Sequence, residues 1–216
     1  MSRSWLGALS LGLFLLLTAC SSQQVRHSVQ DPIQTWRRQQ PILEGLTSWD
    51  LRGRIAVRAG NDGFNANFSW RQWGERYHIQ LSGPFGIGVL TLAGDANGVA
   101  LRSKGKTVFR RGDAAAILYR QTGVRLPIAA LRYWVRGVPQ REVPAKVVLD
   151  REGRLKELRQ AGWHMHYKRY TRLRNMELPA KLFLDNRDLK VRLVIDRWVL
   201  AAMPVMRHHH GKLRNT

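Results

Sequence analysis

From Trp49 onward, apolar and polar positions alternate in short runs separated by glycine-containing turns. In WDLRGRIAVRA, Trp49, Leu51, Ile55 and Val57 fall on one side, and Asp50, Arg52, Arg54 and Arg58 on the other. Phe64, Ala66, Phe68 and Trp70 alternate in the next run. Tyr77, Ile79 and Leu81 do so in the one after, with His78 and Gln80 opposite. A strand points successive side chains to opposite faces, so each run predicts a half-buried β-strand. GNDG, at 60–63, joins the first two as a hairpin, and Gly74-Glu75 turns the chain into the third. Further strands are predicted at 89–92, 99–103, 107–110, 147–149, 155–159, 163–170, 181–184 and 189–199, with turns at Gly105, Glu152-Gly153, Ala161-Gly162 and Asp185-Asn186. One apolar and one polar face per strand predicts a curved antiparallel sheet wetted on one side.

The alternation breaks between Gly112 and Pro139. There Asp113 caps AAAILYRQT, which Gly123 closes, and Pro127 opens IAALRYWVRG, which Gly137 closes. Ile117, Leu118, Leu131 and Trp134 give these two helices apolar faces, which belong over the apolar side of the sheet. A third helix starts earlier, with Asp31 as N-cap and Pro32 at the first helical position. Ile33, Trp36 and, beyond a kink at Pro41, Leu43 and Leu46 predict the stripe by which it packs on the domain.

The N-terminal pattern differs again. Arg3 precedes an apolar run at 5–17 that is too short to span a bilayer comfortably and fits a signal peptide. It ends in LTAC, a lipobox pattern that marks Cys20 for acylation after cleavage. Cys20 is the sole cysteine, which excludes a disulfide framework, a CxxC redox pair and a cysteine zinc site. The expected organisation is a signal peptide at 1–19, an acylated polar tether at 20–31, a single β-rich domain at 32–200 and a basic, disordered tail at 201–216. Ser21 follows the cysteine. In proteobacterial lipoproteins an Asp there retains the protein in the inner membrane, so by resemblance Ser21 implies a lipid anchor in the outer membrane, facing the periplasm.

Lys and Arg total 36 against 15 Asp and Glu, a net charge of +21. In a cytosolic chain, aromatics interleaved with so many cations would point to nucleic acid. Behind a lipobox the charge suits anionic head groups, lipopolysaccharide or an acidic periplasmic partner instead, and no nucleic acid is expected. No GxSxG, HExxH, P-loop or CxxC occurs, and GPFGIGVLT lacks the third glycine of a dinucleotide fingerprint. His164 and His166 share a strand face and could start a metal site, but no third ligand is evident, so they read as ordinary surface or core histidines, and His208 to His210 lie in the tail. The expectation is a protein without catalytic residues, cofactor or metal.

The segment SGPFGIG, at 82–88, is unusual for a turn because three glycines and a proline enclose Phe85 and Ile87. Leaving a Phe in water forgoes about 1.5–3 kcal/mol of burial. Phe85 is therefore either a plug folded back on the sheet or an apolar finger held out to touch lipid.

The lipobox, FSW at 68–70, GPFG at 83–86, LRYWVRGVP at 131–139, GWxxxY at 162–167 and DRW at 196–198 occur in an order and spacing that resemble the outer-membrane lipoprotein receptor family LolB, over about 36–200. The resemblance implies a mainly β fold with a few helices: an unclosed antiparallel β-barrel with a helical lid over an apolar cavity, shared with the periplasmic carrier LolA. It implies acceptance of acylated lipoprotein cargo from LolA and release into outer-membrane phospholipid, by a monomer using no cofactor or nucleotide. It assigns lipidation to Cys20 and membrane insertion to Pro84, Phe85, Gly86 and Ile87. The expected cavity residues are Phe64, Phe68, Trp70, Tyr77, Ile79, Leu81, Ile117, Leu118, Leu131 and Trp134. Soluble LolA lacks both a lipobox and a projecting apolar loop, so Cys20 and Phe85 favour LolB. The chain departs from the family in carrying Phe85 where Leu is expected, and in its basic C-terminal extension. Two other classes remain open: a lipid- or glycolipid-binding envelope lipoprotein without a LolA partner, and an envelope hydrolase.

Overall fold

A computed structural model describes residues 31–83, 88–112 and 114–200. Cys20, the loop residues Pro84 to Ile87, the helix cap Asp113 and the tail lie outside them. Helix α1 (Pro32–Glu44) begins as its sequence dictates, with the Asp31 carboxylate accepting from the Ile33 N–H at 2.9 Å and Pro32 in the first turn. The helix runs through Pro41 as one element. Trp36 and Leu43 are buried, and Leu46 packs on the core beyond the helix end. Ile33 is not part of the stripe, being 54% exposed. Thr35 takes the inward place in that first turn, close against Gly153.

The strands follow as β1 (Ser48–Ala59), β2 (Asp62–Trp73), β3 (Arg76–Ser82), β4 (Leu90–Gly94), β5 (Val99–Ser103) and β6 (Lys106–Arg110). Helices α2 (Ala114–Thr122) and α3 (Ile128–Trp134) come next. The chain ends in β7 (Ala145–Leu149), β8 (Leu155–Gln160), β9 (Trp163–Leu173), β10 (Met176–Asp185) and β11 (Leu189–Leu200). All strand pairs are antiparallel, in one sheet of order β6-β5-β4-β3-β2-β1-β11-β10-β9-β8-β7. The chain meanders outward from β1 to β6, crosses through the two helices, and returns inward from β7 to β11. First and last strands thus lie side by side, and β6 and β7 are edges that do not meet: the barrel is unclosed.

The inner face is the apolar one that the alternation defines. Trp49, Leu51, Ile55 and Val57 of β1 are buried, as are Phe68 and Trp70 of β2 and Val191, Leu193 and Ile195 of β11. Trp49 sits at the centre, its ring 5.2 Å from that of Trp70 and 5.4 Å from that of Trp198. α2 and α3 cover this face through Ile117, Leu118, Ile128 and Leu131, with α2 against β5.

Two strands depart from a plain ladder for identifiable reasons. β10 begins at Met176 rather than at 181 because Pro179 is accommodated where the pairing with β9 shifts register, between Pro179 and Leu182. The β1–β11 ladder also shifts register, between Arg52 and Gly53. A Cβ at Gly53 would collide with the Val194 carbonyl oxygen, so only glycine lets the central strands approach this closely. Gly53→Ala is expected to cost about 1–3 kcal/mol, read as a lowered thermal midpoint with far-UV circular dichroism retained.

Candidate functional site

The outer and inner faces offer different kinds of concavity. On the outer face, grooves of about 800 and 610 Å³ lie around Arg58, Lys190 and Arg192 and around Arg54 and Lys181. Cations, amides and, in the larger groove, the carboxylates of Asp62 and Asp185 share their lining with apolar side chains, so neither is a purely apolar container. The inner face holds a cavity of about 40 Å³ whose lining is wholly apolar. Ile55, Phe68, Trp70, Ile79, Leu81, Leu90, Leu92 and Leu193 form its sheet wall, and Leu118, Leu126, Ile128, Leu131 and Val135 its helical wall. A water molecule takes about 30 Å³ in the liquid, so this volume holds no extended chain while the helices lie in place.

Six of the ten expected positions, Phe68, Trp70, Ile79, Leu81, Leu118 and Leu131, line this cavity. Phe64 lies at the edge of the larger outer groove. Tyr77 is half-buried, its ring close over Gly94. Ile117 is buried in the core beside the cavity. Trp134 is fully buried, and its indole N–H donates to Gln160 Oε1 at 2.8 Å. A buried indole N–H needs such an acceptor, and this one fixes Trp134 at the junction with β8, outside the cavity lining.

The segment LRYWVRGVP organises the helical wall. Leu131 and Val135 reach the cavity, while Arg132 Nη1 donates to Glu75 Oε2 at 2.7 Å, tying α3 to the β2–β3 turn. Tyr167 donates from its hydroxyl to the Trp134 carbonyl at 2.9 Å, and Trp163 packs with its ring 6.1 Å from that of Trp134. Gln160 completes the junction by donating to the Gln140 and Val143 carbonyls at 2.9 and 2.8 Å. Arg136 is buried and reaches the end of α1, where Nη1 donates to the carbonyls of Leu43, Glu44 and Leu46 at 3.1, 3.1 and 2.7 Å. Burial pushes its pKa down to about 10, with Tyr133 partly opposing, so it stays charged at neutral pH. A cation is favoured at this helix C-terminus, where the free carbonyls concentrate negative charge.

The remaining motifs have structural roles of the same kind. Trp70 of FSW donates to Gln72 Oε1 at 2.9 Å, and Trp198 of DRW donates to the Pro179 carbonyl at 2.9 Å. Asp196 of DRW pairs with Arg54 at 3.1 Å on the wet face. Sequence reasoning missed Arg136, Gln72 and Gln160, because a buried polar residue leaves no mark on a hydrophobic pattern. It also missed Ile55, Leu92 and Leu193 as cavity residues, although their alternation put them on the inner face.

The chain has clear relatives. A family model described as outer membrane lipoprotein LolB matches residues 47–198. The outer-membrane lipoprotein LolB of Nitrosococcus oceani is 35% identical over 187 residues, covering 86% of this chain and 93% of its own. That of Chromohalobacter salexigens is 35% identical over 199 residues, covering 92% and 91%. Among solved structures, a LolA superfamily protein from Nitrosomonas europaea is similar with a TM-score of 0.51 at 9% identity, over 79% of this chain and 94% of its own. At that identity the likeness speaks for the fold alone.

Proposed function

Since the chain belongs to the outer membrane lipoprotein LolB family, we propose that it receives the acyl chains of lipoproteins from a LolA-type carrier in its inner cavity and delivers them to the outer membrane. The observation that carries this reading is the enclosed, wholly apolar lining between the sheet and the helices. Cys20 is the proposed lipid anchor, with 20–31 as tether, and no helix among the described residues is long and apolar enough to cross a membrane. The protein acts as a monomer and without catalysis. Transfer needs no covalent step, because acyl chains move between two apolar cavities and a bilayer according to successive differences in affinity.

Entry requires the cavity to open. α3 is tied at its C-terminal end by the Trp134–Gln160 and Tyr167–Trp134 hydrogen bonds, whereas α2 meets the sheet through apolar side chains such as Ile117 and Leu118. Opening lifts helical side chains such as Ile117 and Leu118 off the sheet. Exposing two or three core side chains costs about 1.5–3 kcal/mol each. Burial of an acyl chain returns about 0.8 kcal/mol per methylene, so a dozen methylenes offset the opening.

The proposed delivery loop fits the same geometry. Leu81 and Leu90, the last paired residues before the loop on β3 and β4, both line the cavity, so a chain leaving along the loop starts from the cavity rim.

The test uses the protein with Cys20→Ala, incubated with lipoprotein-loaded LolA in the absence of ATP. Lipoprotein is expected to pass to it and co-purify with it. A lipid-binding protein with no carrier partner would take up phospholipid yet leave loaded LolA intact, and that outcome would overturn the proposal.

A further inference from the structure

We propose that Glu157, His164 and His166 form a binding site for a zinc-like divalent cation on the outer face of the sheet. In β9, Trp163, Met165 and Tyr167 point inward and are buried, which sends His164 and His166 together to the opposite face. β8 supplies the third ligand, because Glu157 stands directly opposite His166 in the ladder. This cross-strand partner is invisible to a reading of β9 alone.

The distances suit one small cation. His164 Nε2 lies 3.3 Å from Glu157 Oε2, and His166 Nδ1 lies 3.8 Å from Glu157 Oε1. Among the described residues this is the one group of three such side chains whose ligand atoms all fall within 4.8 Å of one another. Zinc bonds of about 2.0–2.1 Å in tetrahedral geometry set neighbouring ligand atoms roughly 3.3 Å apart. Two imidazoles and one carboxylate, with a fourth position left to water, form a donor set that zinc accepts. The side chains are 24%, 29% and 31% exposed for His164, His166 and Glu157, so the site is reached from solvent without disturbing the core.

A plain ion pair explains less of the arrangement. One histidine suffices to pair with Glu157, and an exposed pair of this kind stabilises little. Here the two imidazole rings lie 3.9 Å apart. Two protonated rings at that distance repel each other, whereas a shared cation draws both in as neutral ligands. Bound metal would clamp β8 to β9, next to the edge strand β7, and stabilise the native state because the unfolded chain offers no such site.

The experiment uses the mature chain with His208, His209 and His210 replaced by Ala, since that tract binds metal by itself. Titration with zinc chloride is expected to show one ion per chain and a thermal midpoint that rises with zinc. In the same background, His164→Ala and Glu157→Gln should each weaken binding by about tenfold or more, with midpoints in EDTA unchanged because both positions are on the wet face. Replacing zinc by cobalt(II) should give the visible absorption of a four-coordinate ion. Absence of stoichiometric binding in the tail-substituted protein would overturn the proposal, as would binding that His164→Ala leaves intact.

Discussion

Arg136→Ala is expected to lower the thermal midpoint by about 6–12 °C, at roughly 2–4 °C per kcal/mol for a domain of this size. The guanidinium donates to three carbonyls at and beyond the end of α1, and through Nε to the Arg132 carbonyl at 2.9 Å. A hydrogen bond to a charged group contributes about 1.5–3 kcal/mol. Water replaces part of what is lost at the partly exposed carbonyls, leaving a net cost of about 3 kcal/mol. Arg136→Lys should recover only a fraction, because an ammonium group cannot span the two sets of carbonyls as the fork does. An unchanged melt for Arg136→Ala would show that α1 is held by Trp36 and Leu43 alone.

The largest functional effect is expected at Phe85. With Phe85→Glu, uptake from LolA and folding should stay near the parent level, while insertion of cargo into liposomes should fall by roughly a hundredfold. A carboxylate is disfavoured in the bilayer by about 2.5–3.5 kcal/mol relative to water, where an apolar side chain is slightly favoured, and each 1.4 kcal/mol is a factor of ten. Phe85→Leu keeps an apolar tip and should be close to neutral, with Phe85→Ala between. If Phe85 were instead a plug on the sheet, Phe85→Ala would cost about 3–5 kcal/mol of stability, with insertion per folded molecule unchanged. Thermal melts set beside the insertion assay separate the two.

The strands were legible because every second residue in them faces the core. Trp49 to Val57 and Phe68 to Trp70 needed nothing but the count of two. Pairing between distant strands leaves no local mark, and the contact of β1 with β11 is of that kind. Pro179 masked the beginning of β10, since a proline argues against a strand unless the ladder shifts around it. In the cavity, alternation identified a face rather than a depth along it. Phe64 and Phe68 share that face, yet only Phe68 lines the cavity. The proposed third ligand beside His164 and His166 comes from the neighbouring strand of the β8–β9 hairpin, and it is found only when the register across the Ala161-Gly162 turn is counted out.

The adjacency of the first and last strands also bears on how the protein is made. A chain exported N-terminus first delivers β1 to the periplasm long before β11. Until Leu200 has followed, the side of β1 that will pair with β11 is a bare edge, able to pair with another chain. Its pairing residues, Trp49 with Leu200 at one end and Ala59 with Leu189 at the other, are separated by most of the domain, so folding waits on contacts of long sequence range. Completion of the sheet is thus tied to completion of export, and the interval between the two is when the newly made protein most needs protection from aggregation.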